Sequence, residues 1–123
     1  MLRLIRSFGF AWKGIRSSLF QEPNFKIHIV CSILVIGAAV YFMISPVEWM
    51  LVLICMALVL SMEMINTAIE KLCNVVHQEQ HPGIKITKDV AAGAVLVSAI
   101  IAAVCGAIIF IPKIILLIKS INQ

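Results

Sequence analysis

The segment WMLVLICMALVLSMEMINTAIEK at residues 49–71 decides the fold, because it is long and apolar enough to span a membrane yet ends in carboxylates. About 20 apolar residues cross the ~30 Å hydrocarbon core of a bilayer. Glu63, Asn66 and Glu70 follow one another at steps of three and four residues, so they share one face of a helix. An ionisable side chain within a spanning helix costs at least ~2.5 kcal/mol, which indicates a functional site. The alternative is that one or both glutamates lie at the water interface, in particular Glu70, which precedes Lys71.

Two further apolar runs surround this segment, at residues 27–45 and 90–111, and the second is expected to end before Pro112. The chain of 123 residues is 62% hydrophobic and 13% charged, which is too apolar for a soluble domain. The sequence therefore predicts an all-α membrane protein with a single domain over residues 1–123. Its expected parts are an N-terminal amphipathic surface helix at 1–21, three transmembrane helices at 27–45, 49–70 and 90–111, and a loop at 71–88.

The first 21 residues have the pattern of an interfacial helix. Apolar side chains recur every three or four residues, at Leu2, Ile5, Phe8, Trp12, Ile15 and Leu19. Basic side chains occupy the other side, at Arg3, Arg6, Lys13 and Arg16. Such a helix lies with its apolar side in the acyl boundary and its basic side at the headgroups. Membrane anchoring and phosphate binding are both consistent with this basic side.

The distribution of lysine and arginine predicts how the chain is oriented in the membrane. Five of these residues precede the first span, at Arg3, Arg6, Lys13, Arg16 and Lys26. Three lie in the 71–88 loop, at Lys71, Lys85 and Lys88, whereas the turn at 45–48 has none. By the positive-inside rule, the N-terminus and the 71–88 loop are cytoplasmic. The net charge of +4 is spread over a membrane body, which argues against nucleic-acid binding.

Glu22 is expected in a bend, because Pro23 ends the surface helix and starts the first span. It can meet Glu70 if the first two spans pack as an antiparallel pair. Two carboxylates together with Lys88 and Asp89 suit the handling of MgATP, since Mg²⁺ binds one or two carboxylates plus phosphate oxygens. The glycine-rich motifs of soluble nucleotide-binding proteins, G-x-x-x-x-G-K-[ST] and G-x-G-x-x-G, are absent from the sequence.

The motif ExxNTAIE at residues 63–70, followed by KDVAAGAV at 88–95, resembles the signature of the small prokaryotic diacylglycerol kinases and undecaprenol kinases. FAWKGIR at 10–16 and EPNFKIH at 22–28 resemble the N-terminal part of the family, so the likeness covers nearly the whole chain. These enzymes are homotrimers of three-span subunits in the bacterial inner membrane. The resemblance implies an ATP-dependent lipid kinase that converts diacylglycerol to phosphatidic acid, with undecaprenol as the alternative acceptor.

Carried over residue by residue, the resemblance also implies the site. Glu63 would be the general base, Asn66 a polar support in the same site, and Glu22 and Glu70 the ligands of the cofactor Mg²⁺. The implied contacts to ATP come from Arg3, Phe10, Glu22, Glu70, Glu79, His81, Lys88 and Asp89. The implied contacts to the lipid come from Trp12, Lys13, Arg16, Phe25, Lys26, Glu63 and Ala92. Asn74 departs from the pattern, since the family usually has an aspartate there; an amide keeps the hydrogen bonding but not the charge.

Two other classes of protein would explain part of the pattern. A small homo-oligomeric transporter would also bury a carboxylate such as Glu63, but it would not need Glu22, Glu70 and Lys88 at one surface. A non-catalytic membrane scaffold would explain the small residues of the third span and leave Glu63 unexplained. Small residues allow helices to approach closely, so they also favour self-association, with the implied homotrimer sharing its sites between subunits.

Overall fold

The computed structural model describes residues 2–76 and 81–122, and this part of the chain is helical apart from short turns. Helix α1 runs over Leu2–Gln21, α2 over Pro23–Tyr41, α3 over Pro46–Val76 and α4 over Pro82–Ile121. Three of these helices, α2, α3 and α4, are long and apolar enough to cross a membrane. The prediction of an all-α membrane protein with an N-terminal amphipathic helix and three spans is confirmed.

Proline sets the start of each membrane helix. Pro23, Pro46 and Pro82 are the first residues of α2, α3 and α4, a position where the missing N–H costs nothing because it would have no partner in the helix. The residue before a proline is restricted to extended conformations. Glu22 and His81 accordingly have φ of −104° and ψ of 113° and 128°, so both side chains stand at bends in the chain.

A tight turn reverses the chain between α2 and α3. Met43 has a φ of 46°, in the left-handed region, and the N–H groups of Met43 and Ile44 donate to the carbonyls of Val40 and Ala39, both at 3.2 Å. These two bonds form a Schellman motif, which satisfies carbonyls at a helix end. Ala39 and Ile44 are buried together with Val52 of α3. The turn therefore packs the ends of two spans against each other.

The spans differ in how closely they associate. Helices α3 and α4 make the most extensive contact, α2 packs on α3, and α1 touches α2 and α3. Buried apolar side chains are few, and most large aliphatic side chains of α2, α3 and α4 are exposed on the single chain. Lipid is as apolar as leucine, so helix association in a bilayer depends on close packing and not on the removal of apolar surface from water.

Several expected boundaries are wrong. The first span, predicted at 27–45, corresponds to α2 at Pro23–Tyr41, because residues 42–45 form the turn to α3. The predicted loop at 71–88 is helical at both ends, since α3 continues to Val76 and α4 begins at Pro82. At ~1.5 Å per residue the 31 residues of α3 reach about 46 Å, which exceeds a ~30 Å hydrocarbon core, so the polar end of the helix extends beyond the membrane. Pro112 does not end the third span but lies inside α4. Membrane helices tolerate proline, because neighbouring groups can satisfy the freed carbonyl.

Candidate functional site

Glu63 is the buried acidic residue among the described residues of the membrane region. It lies in the second half of α3, and only 3% of its surface is exposed. It shares a face of α3 with Val59 and Thr67, which are also buried. Among the residues that the structure describes, no side chain or backbone group forms a hydrogen bond or an ion pair with its carboxylate. Among the described residues no fully buried side-chain oxygen lacks a hydrogen-bond partner, so the unpaired Glu63 carboxylate keeps access to the protein surface, and an ionisable group in a membrane-spanning helix indicates a functional role.

The polar face of α3 runs from the interior of the protein to its surface. Glu63 is buried, Asn66 is half-buried one turn later, and Glu70 is exposed after a second turn. The regular geometry of the helix holds these three groups in line along one side. A substrate that reaches Glu63 from the exposed end would therefore pass both Asn66 and Glu70.

An ion pair links the first bend of the chain to this face. The Lys71 Nζ lies 2.8 Å from the Glu22 Oε1, and it also donates to the Gln21 Oε1 at 3.4 Å. Because Lys71 directly follows Glu70 in α3, the contact brings the bend between α1 and α2 next to the exposed end of the polar face. Glu22 is thus near the part of α3 where the sequence predicts it, but its carboxylate is held by a lysine.

Whether the site can hold a magnesium ion depends on the carboxylates of Glu22 and Glu70. Within residues 2–76 and 81–122, no group of three or more histidine, cysteine or acidic side chains could hold a metal by itself. Magnesium does not need such a group, since it usually keeps several waters and binds one or two carboxylates plus the phosphate oxygens of a nucleotide. Glu22 and Glu70 supply oxygen donors of this kind, so the residues suit a nucleotide-bound magnesium ion.

A second contact joins the ends of α3 and α4. The Lys88 Nζ donates to the Asn74 Oδ1 at 2.6 Å, which connects the last turns of α3 to the second turn of α4. Asp89 is exposed beside Lys88. His81 caps α4, and its Nδ1 accepts a hydrogen bond from the Gly83 N–H at 3.1 Å. The predicted ATP contact Glu79 lies outside the described residues.

The predicted contacts of α1 lie on an exposed helix. Its apolar side chains Ile5, Phe8 and Trp12 are each at least 64% exposed, so none of the other described helices covers this side of α1. Arg3, Phe10, Lys13 and Arg16 are exposed as well. The Lys13 Nζ lies 5.9 Å from the centre of the Phe10 ring, and the Arg16 guanidinium 5.7 Å from that of Phe20. Basic and aromatic groups thus alternate along this surface.

The remaining predicted lipid contacts differ in exposure. Phe25, in the first turn of α2, is buried, whereas Lys26 beside it is exposed. Ala92 is exposed on α4, next to the buried Ala91. The buried Phe25 ring therefore helps to pack the bend after Glu22, and direct contact with a lipid is available only to the other two.

A cavity of about 310 Å³ lies between α2, α3 and α4. Its walls are mainly apolar, and α3 contributes Val52, Met56 and Val59. Val59 precedes Glu63 by one helical turn, so the cavity begins close to the buried carboxylate. Small residues of α4, among them Ala99 and Ala102, line the opposite wall. The space suits a hydrocarbon chain or an apolar side chain.

Three side chains of this region were missed as site residues by sequence reasoning. Lys71 carries the ion pair to Glu22, Asn74 accepts from Lys88, and Thr67 is buried one turn after Glu63. Thr67 could have been found from its spacing to Glu63, and Lys71 from its charge opposite to that of Glu22. The partner of Asn74 comes from another helix, so no local signal in the sequence reveals it.

Comparison with known proteins finds a matching family and several similar proteins. The family model of the prokaryotic diacylglycerol kinases matches residues 9–110. An undecaprenol kinase of Bacillus subtilis is 38% identical over 113 residues, which cover 90% of each chain. A diacylglycerol kinase of Synechocystis is 36% identical, and the match covers 89% of this chain and 63% of that kinase. A diacylglycerol kinase of Escherichia coli K12 is 28% identical, and the match covers 87% of this chain and 88% of that kinase.

Proposed function

The chain belongs to the prokaryotic diacylglycerol kinase family and is a membrane lipid kinase, and on this basis we propose that it transfers the γ-phosphate of MgATP to the hydroxyl of diacylglycerol. The observation that carries the proposal is the buried Glu63, whose carboxylate has no partner among the described residues. A kinase acting on an alcohol needs a base for the hydroxyl proton, and an unpaired carboxylate in the membrane region meets that need.

The nucleotide binds at the exposed end of the polar face. Lys88 offers its ammonium to the phosphates, with Asp89 beside it, and Glu22 and Glu70 are the residues that hold magnesium. The further contacts to ATP come from Arg3, Phe10, His81 and Glu79. When bound, magnesium neutralises part of the charge on the phosphate oxygens. The pairing of Lys71 with Glu22 supports this arrangement, because it shows that Glu22 attracts a cation from α3.

The lipid approaches from the membrane side. Trp12, Lys13, Arg16 and Lys26 form an exposed aromatic and basic surface that suits the headgroup region, and Ala92 is exposed on α4. Phe25 acts here by packing the bend after Glu22. One hydrocarbon chain occupies the apolar cavity that starts one turn from Glu63. The hydroxyl of the lipid then lies at the carboxylate while its chain remains in an apolar environment.

The phosphoryl transfer requires few chemical steps from the protein. Glu63 accepts the hydroxyl proton as the lipid oxygen bonds to the γ-phosphorus, and the bond from that phosphorus to the oxygen of ADP breaks. ADP leaves with the electron pair of this bond, and Glu63 returns its proton to water. Asn66 keeps a polar group next to the reacting hydroxyl, and Lys88 holds the phosphates in line. Catalysis therefore comes mainly from positioning and charge.

The site is completed by self-association in the bacterial inner membrane. Glu70 and Asp89 are exposed on a single chain, and three helices leave the polar face open on one side. The small residues of α4 permit close contact with another subunit. We expect a homotrimer with sites at subunit interfaces, oriented with the N-terminus and the end of α3 in the cytoplasm, where ATP is available.

Undecaprenol is the second candidate acceptor. The observation that favours it is the 38% identity with an undecaprenol kinase over 90% of both chains. Both lipids present a hydroxyl at the bilayer surface, and both place hydrocarbon in the membrane. A transporter or a scaffold is not needed to explain Glu63, since the family already requires a base for a lipid hydroxyl.

Phosphate transfer in mixed micelles tests the proposal. The purified protein receives radiolabelled MgATP with diacylglycerol, with undecaprenol, or with both, and labelled lipid is separated from ATP. We expect label in diacylglycerol, and no transfer by the Glu63→Gln variant. Label in undecaprenol alone would replace diacylglycerol as the substrate. No label in either lipid, from protein that is folded and binds nucleotide, would overturn both acceptors.

A further inference from the structure

The hydrogen bond between Asn74 and Lys88 has no role in the phosphoryl transfer proposed above. The Lys88 Nζ and the Asn74 Oδ1 are 2.6 Å apart, shorter than the usual ~2.7–2.9 Å of a charge-assisted bond from nitrogen to oxygen. Asn74 is two residues from the end of α3, and Lys88 is in the second turn of α4. The bond therefore fixes a flexible lysine relative to two helices at once.

The charge of the acceptor matters as much as its position. The two ion pairs between described residues join Lys71 to Glu22 and Lys113 to Glu48, so both of those ammonium groups face a carboxylate. Lys88 faces a neutral amide instead. An amide oxygen orients an ammonium group without cancelling its charge, whereas a carboxylate would form an ion pair and reduce its attraction for another anion.

We propose that Asn74 is a positioning residue, which holds the Lys88 ammonium, with its positive charge intact, where a phosphate oxygen of the nucleotide binds. This inference rests on the proposed role of Lys88 in nucleotide binding. Lysine has three N–H donors, so one can remain on Asn74 while the other two face the phosphates. Holding the side chain before the nucleotide arrives also reduces the rotamer entropy that binding must remove.

Nucleotide binding without turnover tests the inference directly. The full-length protein, purified in detergent, is titrated with the magnesium complex of a non-hydrolysable ATP analogue. We expect Asn74→Ala to weaken binding about five- to tenfold, in line with the cost of immobilising one flexible side chain when the nucleotide binds. In turnover assays the same variant raises the KM for MgATP and leaves the KM for the lipid unchanged.

A double-mutant cycle separates positioning from a structural role. If Asn74 acts through Lys88, its replacement by alanine has no further effect on binding in the Lys88→Met background. A purely structural role would weaken binding by the same factor in both backgrounds. Thr87→Ala is the matched control, because Thr87 is exposed beside Lys88 and its hydroxyl donates only to the Gly83 carbonyl of the same helix, at 2.9 Å. Its affinity should equal that of the wild type.

The outcomes distinguish this inference from the proposed function. Wild-type protein that binds no nucleotide would overturn the proposed function and the inference with it. Wild-type binding together with unchanged affinity in Asn74→Ala would overturn the inference alone. An equal loss in both backgrounds of the cycle would also overturn it, since the effect of Asn74 would then not pass through Lys88.

Discussion

Glu48 in the first half of α3 and Glu63 in the second half are held in opposite ways. Near the start of the helix, Glu48 accepts from the Ser45 N–H at 2.7 Å and forms an ion pair with Lys113 of α4 at 3.0 Å. The Glu48 N–H donates in return to the Ser45 hydroxyl at 3.3 Å, which completes a capping box. Glu63, in the other half, is buried and has no hydrogen bond or ion pair among the described residues.

The difference separates a structural carboxylate from one that is proposed to be functional. Glu48 satisfies the free N–H groups at a helix start and ties α3 to α4, so its partners explain why it is there. Glu63 has no such partner among the described residues, and an ionisable group in a membrane-spanning helix is costly. Burial and partners together distinguish the two glutamates, because Glu63 is buried and unpaired whereas Glu48 is half-buried and paired.

The largest expected effect comes from Glu63→Gln. Glutamine keeps the size of the side chain but cannot accept the hydroxyl proton, so turnover should fall at least ~100-fold. The thermal midpoint of unfolding in detergent should not fall, because no partner of the carboxylate is lost. Radiolabel transfer and a melting curve on the same preparation measure both quantities. Wild-type turnover in this variant would mean that another group is the base.

Glu22 and Glu70 provide the next test, since they are proposed to act through magnesium. Glu22→Gln or Glu70→Gln should raise the magnesium concentration needed for half-maximal activity about tenfold and lower the rate as well. A magnesium titration at fixed ATP measures this. Glu48→Gln is the matched control, because that carboxylate lies in the other half of the same helix. An unchanged magnesium requirement in both variants would remove these residues from the metal site.

Glu48 has two structural contacts, the capping box with Ser45 and the ion pair with Lys113, and they can be tested separately. Ser45→Ala removes one partner of the capping box and should cost about 1 kcal/mol of stability. Glu48→Gln keeps a capping side chain, since glutamine also serves at this position, but loses the ion pair to Lys113. Thermal unfolding in detergent should therefore show the larger loss for Ser45→Ala. Both variants should retain the turnover per folded molecule, and a loss of turnover would contradict the division between the two halves of α3.

The smallest expected effect on stability is that of Lys71→Met. The side chain of Lys71 is 51% exposed, and exposed ion pairs contribute at most ~1 kcal/mol, so the midpoint of unfolding should hardly change. The magnesium requirement should decrease, because a cation that competes for Glu22 is removed. A higher magnesium requirement in this variant would instead indicate that Lys71 positions Glu22 for the metal.

The local pattern predicted most of the fold but misjudged where the helices end. The polar residues after Glu70 predict a loop, yet a helix longer than the bilayer can continue into water with its backbone bonds satisfied. The capping box at Ser45 and Glu48 has the sequence signature S-x-x-E, which marks the start of α3 at Pro46. Pro112 predicts the end of a helix because proline usually breaks helices, a rule that the membrane relaxes.

By itself, the sequence determined the class of protein, the three spans and the line of Glu63, Asn66 and Glu70, because hydrophobic length and helical spacing are local properties of a chain. Only the tertiary structure decided which charged groups have partners. Glu22 meets Lys71, Lys88 meets Asn74, and Glu48 meets Lys113 across different helices. Such pairs depend on how helices pack and rotate against one another, and no spacing along one segment encodes that. The sequence therefore predicts the residues of the candidate site, whereas the partners that hold them come from the fold.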